Sequence, residues 1–431
     1  MSQRDGALAV LKVLREAGHS AYFAGGCVRD LLLGRTPKDW DVATSATPEQ
    51  VTQLFRRTLA IGAAFGVIKV LWRPGQEYEV ATYRTEGDYS DGRRPDQVHY
   101  STSPKEDVER RDFTLNALLL DPAPGPSPRP EEEGAERHER EDGVVLDFVG
   151  GVPDLRAGLI KAVGDPHERF KEDRLRMLRA VRFAARFGFA IEAATQLAIQ
   201  AHAKEIKVVS VERIVNELDG IWGSGRAAPG EQRLEEVGLW AGLSAFFPSR
   251  SKVASERLLR LDQLPSSPEV PLSPADRTIL AWALLLEGDR RALEQAMRSL
   301  KFSRDRIDQV LALVELAPTL MALETEAEPR VRRLVSRGGA MARWFQLCLL
   351  PPAHPGISRF SAMVEELAAR PLPEKPLAGG AELKALGVAP GPDFKRYLGA
   401  VDDAVYARQI STREEALALL ERLVKDGLSA S

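Results

Sequence analysis

The sequence predicts an α/β domain followed by an all-α remainder, and three observations carry that reading. Up to about Asp121, short apolar runs of strand character (SAYFAGG, FGVIKVLW, YEVATYR, TLNALLLD) alternate with helical segments. From Pro166 onward the apolar spacing is helical, as in FKEDRLRMLRAVRFAARFGF, TQLAIQAHAKEI and SVERIVNELDGIW. At 431 residues the chain exceeds what one ordinary core supports, so about three domains or subdomains are expected.

Between the two textures lies PAPGPSPRPEEEGAERHEREDG, residues 122–143, rich in Pro, Gly and Glu with almost no large apolar residue. Such a segment buries too little surface to order itself, and a disordered surface insertion is expected. The chain resumes with VVLDFVGG. Pro-rich joints at LPSSPEVPLSP, PPAHPGIS and RPLPEKPLAGG then break the helical half into blocks, and no fixed-period repeat suggests a solenoid. The expected division is an α/β domain over 1–155, a helical segment over 156–225 and a helical remainder over 226–431.

Hydrophobic content of 44% and charged content of 28% are ordinary for a soluble globular protein. No apolar run is long enough to span a bilayer, and MSQRDGALAVLKVLREAG reads as an amphipathic helix, not a signal peptide. A cytoplasmic protein without membrane attachment is expected. Cys27 and Cys348 are the only cysteines and lack metal-ligand spacing, which supports neither a disulfide framework nor a zinc site. The formal net charge of −3 argues against coating nucleic acid by bulk electrostatics, yet leaves room for a local basic track.

Tyr22-Phe23-Ala24 reads as the end of a strand, followed by Gly25-Gly26 and a helix closed by Gly34. Two glycines let backbone approach a ligand closely, and a helix N-terminus offers N–H groups to an anion. A triphosphate fits there with Arg29 as charge partner; a tight turn without a ligand is the competing reading. Asp39 and Asp41 follow, two residues apart. On a strand they would share a face and reach one Mg²⁺, which takes hard oxygen ligands and keeps waters and substrate phosphates. A solvated strand face is the alternative for an isolated pair. Glu79, between Tyr78 and Val80, repeats the format on a second strand, with Glu77 the competing third carboxylate. Three carboxylates on adjacent strands suit two metal ions in nucleotidyl transfer.

GGCVRDLLLGRTPKDWDVAT resembles the first signature of class II tRNA nucleotidyltransferases and bacterial poly(A) polymerases, of the DNA polymerase beta superfamily. RRDFTLNA, residues 110–117, resembles the second signature, which implies ribose and phosphate contacts for Arg111, Asp112 and Asn116 beside Gly25, Gly26 and Arg29. EDRLRMLR, residues 172–179, resembles the motif that reads the incoming base, and SVERI, residues 210–214, the helix that buttresses the neck. GAELKALGVAPGP, residues 380–392, looks like the family's tail. The resemblance implies a nucleotidyltransferase head with a polymerase-beta-like mixed sheet, a helical neck, and a body and tail that dock tRNA. The implied reaction is addition of C and A to the tRNA 3′ end from CTP and ATP, with Asp39, Asp41 and Glu79 holding Mg²⁺.

Asp173, Arg176 and Arg179 lie three apart, close to one helix face. A carboxylate accepts from the exocyclic amino group of C or A, and an arginine donates to the neighbouring ring nitrogen. Uracil and guanine invert that pattern and would leave buried groups unpaired, at roughly 1–3 kcal/mol each. An amphipathic helix with an ordinary Asp–Arg pair is the bland alternative. Arg176, Arg179, Arg182 and Arg186 extend a basic stripe that either guides RNA or is merely solvated.

The polar segment TYRTEGDYSDGRRPDQVHYSTSPKEDVERR matches the family's flexible loop that resets the site from C to A addition. Poly(A) polymerases of the family carry basic residues after the glycine of a segment matching Ile61-Gly62-Ala63-Ala64-Phe65, where this chain has alanines. That tilts the reading to tRNA. An A-only enzyme and an inactive RNA-binding adaptor are the remaining alternatives. The six histidines form no phosphohydrolase pattern. Gly387 and Gly391 near Lys384, Lys395 and Arg396 suit RNA phosphates or simple packing. Trp222, Trp240, Trp282 and Trp344 are expected in helical cores.

Overall fold

Ser2 opens the first helix, α1 (Gln3–Glu16), with a reciprocal cap: Asp5 N donates to Ser2 Oγ at 3.1 Å and Ser2 N to Asp5 Oδ2 at 2.8 Å. The computed structural model describes residues 2–60, 66–86, 98–122, 129–244, 246, 250–264, 272–286 and 288–426. The chain divides into two units, Met1–Phe247 and Pro248–Ser431. No helix among the described residues is long and apolar enough to cross a membrane.

The first unit is built on a mixed sheet. In chain order come β1 (Ala21–Ala24), α2 (Gly26–Leu32), β2 (Val42–Thr44), α3 (Pro48–Leu54), β3 (Thr58–Leu59), β4 (Val67–Arg73) and β5 (Gln76–Thr82). A hairpin of β6 (Arg84–Glu86) and β7 (Val98–Tyr100) leads to α4 (Pro104–Glu109), β8 (Leu118–Asp121), β9 (Glu136–Arg140) and β10 (Gly143–Asp147). The strands order as β3-β4-β5-β2-β1-β8-β10-β9. All neighbours run antiparallel except β2 and β5, which are parallel with Val42 opposite Val80 and Ala43 opposite Ala81. Ala7, Val10 and Leu14 of α1 are buried in one core with Phe23, Val42 and Val80. That leaves Ala24, Ala43 and Ala81, whose side chains point the other way, to floor the site described below.

The second half of this unit is helical: α5 (Gly151–Arg156), α6 (Pro166–Glu172), α7 (Leu175–Phe187), α8 (Ala193–His202) and α9 (Val211–Trp222), followed by Ala227–Glu236 and Leu239–Leu243. The second unit consists of helices from Ala254–Gln263 to Arg413–Lys425. Trp222 and Trp282 are fully buried, and Trp240 and Trp344 nearly so. Pro355 starts the helix Pro355–Ala369, so the Pro-rich joint there is a helix start. Leu383, Val401, Ala416 and Leu420 form a small core for the tail segment.

Three expectations need correction. The 122–143 segment is not a disordered insertion over its described part: Pro130–Glu132 is a turn of 3₁₀ helix and β9 is the outermost strand of the main sheet. Part of its charge is paired at the sheet instead of being solvated, while Glu133, Glu136, Glu139 and Glu141 are exposed. Buried Asp121 meets Arg15 at 2.9 Å and also Arg129, while Glu132 accepts from Arg129 at 3.0 Å, from Arg137 and from the Tyr22 hydroxyl at 3.2 Å. Residues 123–128 lie outside the described residues. Second, the polar connection after β5 holds the β6–β7 hairpin and α4; its residues 87–97, like 61–65, lie outside the described residues. Third, the stretch read as one helix through Asp173 is broken there. Asp173 ends α6, and its Oδ1 accepts at 3.0 Å from the N–H of Leu175, the first residue of α7.

Candidate active site

Gly25 joins β1 to the seven-residue α2 at φ 71°, and a β-carbon there would lie 2.9 Å from Arg111 Nη1. Both the left-handed backbone and the close approach require glycine. One turn on, Arg29 is buried. It donates from Nη1 to Asn116 Oδ1 at 2.5 Å and from Nε to Asp30 Oδ1 at 2.9 Å, with Phe187 4.9 Å beneath its guanidinium. Burial pushes its pKa down.

Asp39 and Asp41 sit in the extended lead-in to β2, just outside the strand itself. Trp40 between them is buried edge-on against Phe23, ring centroids 4.9 Å apart, so the flanking acids face away from that core. Continuing the β2–β5 register by one residue puts Asp41 opposite Glu79. On β4, Lys69 is the register partner of Glu79, and its ammonium pairs with Glu77 at 3.4 Å. Burial first, then the charges of Glu79 and Asp39, push the Asp41 carboxyl up to about 6 against the pull of Arg111. Glu77 does not figure among those causes. Among the described residues no three His, Cys, Asp or Glu groups converge on one ion. An ion that keeps water and phosphate ligands needs fewer protein carboxylates than three.

The RRDFTLNA segment supplies the opposite wall. Asp107 on α4 accepts from Arg110 Nη2 at 2.5 Å and from Arg111 Nη2 at 2.9 Å. Arg111 Nη1 also donates to the Asn116 carbonyl at 3.0 Å. Asp112 accepts from Asn116 Nδ2 at 3.0 Å and from Arg179 Nε at 2.8 Å. Burial raises its pKa, but Arg179 and Asn116 outweigh that and hold it below the ordinary carboxylate value.

From the helical segment, Asp173 accepts from Arg213 Nη2 at 2.6 Å and Nη1 at 3.3 Å. Arg176 bonds Glu172 and the Arg169 carbonyl, the latter at 3.2 Å. Arg182 is no free member of a solvated stripe; it pairs with buried Glu217 at 2.8 Å.

Every predicted site residue except Asp39 lines one cavity of about 560 Å³. Asp39 lines an adjoining cleft of about 430 Å³, which shares Asp41 and Glu79 with the first and adds Glu77, Lys38 and Lys69. Six arginines and four acids face the larger cavity, a surplus of positive charge suited to a triphosphate. Sequence reasoning missed Arg110, Arg213 and Phe183 in its wall and Asp107 behind it. For Asp107 the signal was its spacing, three and four residues before Arg110 and Arg111. The partner of Arg213, Asp173, lies 40 positions earlier in the sequence.

Residues 21–161 match the family described as Poly A polymerase head domain, and residues 188–249 match "Probable RNA and SrmB- binding site of polymerase A". The CCA-adding enzyme of Lactiplantibacillus plantarum is 34% identical over 424 residues, covering 97% of this chain and 95% of that protein. The CCA-adding enzyme of Bacillus subtilis is 41% identical over 249 residues, 58% of each chain. Among solved structures, the Bacillus stearothermophilus CCA-adding enzyme in complex with CTP superposes with a TM-score of 0.76, at 28% identity and 99% coverage of both chains. Likeness of that extent, running through the head and on across the helical remainder, shows that this chain belongs to the CCA-adding enzyme family of nucleotidyltransferases.

Proposed function

We propose that this chain adds C and A to the 3′ end of tRNA without a nucleic-acid template, using CTP and ATP and releasing pyrophosphate. One observation carries the reading: a guanidinium-rich cavity floored by small residues is lined both by Asp41 and Glu79 and by Asp173 with Arg176. Head (1–155), neck (156–225), and body and tail (226–431) divide the work, the last docking tRNA, in a cytoplasmic protein.

Asp39, Asp41 and Glu79 would hold Mg²⁺. Supporting this are the raised Asp41 carboxyl, which burial and then like charges disfavour as an anion, and the Glu77–Lys69 pair, which engages the rival acid. Mg²⁺ bound there supplies activation of the attacking 3′-hydroxyl and charge for the leaving pyrophosphate. Gly25 and Gly26 give the triphosphate close access to backbone, and Arg29, Arg111, Asp112 and Asn116 surround its phosphates and sugar. Asp173 accepts from the exocyclic amine of C or A while Arg176 donates to the ring nitrogen. Arg213 occupies only part of the roughly four acceptor sites of the Asp173 carboxylate. Arg179, held by Asp112, joins head to neck and orients that pair.

Purified protein with Mg²⁺ and each labelled nucleotide separates the readings on tRNAs ending at the discriminator base, at C and at CC. CTP incorporation on the shortest tRNA and a single A on the CC form are expected. Long A tails would instead establish a poly(A) polymerase, failure with CTP an A-only enzyme, and no incorporation an RNA-binding adaptor.

The cation also has a pH signature. With the Asp41 pKa near 6, Mg²⁺ must displace a proton below that pH. The rise in melting temperature produced by Mg²⁺ is expected to shrink as pH falls through 6, apparent affinity dropping by up to about tenfold per unit. A shift independent of pH across that range counts against Asp41 as ligand.

A further inference from the structure

Asp107 carries no role in the reaction described so far, yet it is one of the most completely enclosed charges in the molecule, 1% exposed. Its two carboxylate oxygens serve different partners. Oδ1 accepts from Arg110 Nη2 at 2.5 Å and Nε at 3.1 Å; Oδ2 accepts from Arg111 Nη2 at 2.9 Å. Spacings of three and four residues bring both arginines over the same acid. Both guanidiniums line the larger cavity, with side chains 20% and 18% exposed.

Arg111 is fixed at a second point by the Asn116 carbonyl, 3.0 Å from its Nη1. That same nitrogen comes so near Gly25 that a β-carbon there would crowd it at 2.9 Å. The Arg110 backbone carbonyl in turn receives Arg176 Nη2 at 3.4 Å. An unanchored arginine must be ordered when its ligand arrives, and anchoring beforehand removes that cost. A carboxylate buried solely for the fold would be satisfied by one arginine pointing anywhere; this one sets two of them on the wall beside the glycine turn.

We propose that Asp107 is a positioning residue for the triphosphate, holding Arg110 and Arg111 in the pose that meets its phosphates. The inference rests on the reading of Arg111 as a phosphate contact. Base choice and tRNA docking involve other groups and stay untouched.

Asp107→Asn keeps shape and removes charge. The expected result is a rise of about tenfold in KM for CTP and for ATP by the same factor, the size of one lost charge-assisted hydrogen bond. The inhibition constant of inorganic pyrophosphate rises in parallel, since pyrophosphate meets only the phosphate-binding side. KM for tRNA and the ratio of C to A incorporation stay at wild-type values. Asp107→Glu, which keeps the charge at a displaced point, is the second variant and raises the same constants by a smaller factor. Wild-type constants in both variants, nucleotide and tRNA binding lost in step, or failure of both to fold would overturn the proposal. Arg111→Ala separates it from the underlying reading: unchanged pyrophosphate inhibition there overturns the assignment of Arg111 itself. A weakened Arg111→Ala beside an unaffected Asp107→Asn overturns the positioning role alone.

Discussion

Asp41→Asn is expected to lower nucleotide incorporation by at least about a thousandfold while leaving the melting temperature unchanged or raised. The two effects separate because the same charge that would bind the cation is unwelcome to the fold. Burial and the neighbouring Glu79 push the Asp41 carboxyl up to about 6, above its ordinary value of 3.8. Between those values the folded chain holds a proton that the unfolded chain has released, so this group's contribution to stability falls as pH rises through that window. At neutral pH the ionised acid is a net liability, which the neutral amide removes. Single-turnover incorporation and thermal unfolding, both at neutral pH, check the pair of outcomes. Activity within about tenfold of wild type would remove Asp41 from the chemistry, and a large loss of melting temperature would show that its charge is structural.

Asp121→Ala is expected to destabilise the first unit by about 3–5 kcal/mol, as breaking one side of a buried ion pair does. Asp121 is fully enclosed and accepts charge from Arg15 at 2.9 Å and from Arg129. Its removal leaves Arg15, with a side chain 17% exposed, against a cavity instead of a carboxylate. The midpoint of urea unfolding reports the loss. Limited proteolysis reports its location, with faster cleavage around Arg129 to Arg140 because Arg129 ties that segment to Asp121 on β8. Arg129→Met, whose side chain is already 28% exposed, is expected to cost less. Equal unfolding midpoints for Asp121→Ala and the parent would mean that the network contributes nothing.

What was legible in the sequence was local. The Gly25-Gly26 turn, Asp41 and the RRDF run, each marked out within a few residues of sequence, do line one cavity, because backbone geometry fixes what such neighbours share. What escaped was long-range pairing. Residues 129–140 have the composition of a solvated tail, yet they order because Asp121 and Tyr22, the latter more than a hundred positions earlier, supply the partners. Asp173 lay on a helical pattern, but its carboxylate is worth more as an acceptor for the Leu175 N–H and a partner of Arg213 than as one more helical residue. The pairing of Lys69 with Glu77, the acid that competes with Glu79, was likewise out of reach, because it joins two strands whose register the sequence does not give.

The parallel pairing of β5 with β2 gives the hairpin turn at Pro74–Gly75 an odd-or-even significance. A shift of β5 by a single residue would swing Glu79 into the core and turn Tyr78 outward, whereas a shift by two would bring another outward-facing residue to the acid's place. Length changes at that turn are therefore filtered by parity before they are filtered by size, and the simple alternation of a strand keeps Glu79 on the cavity wall.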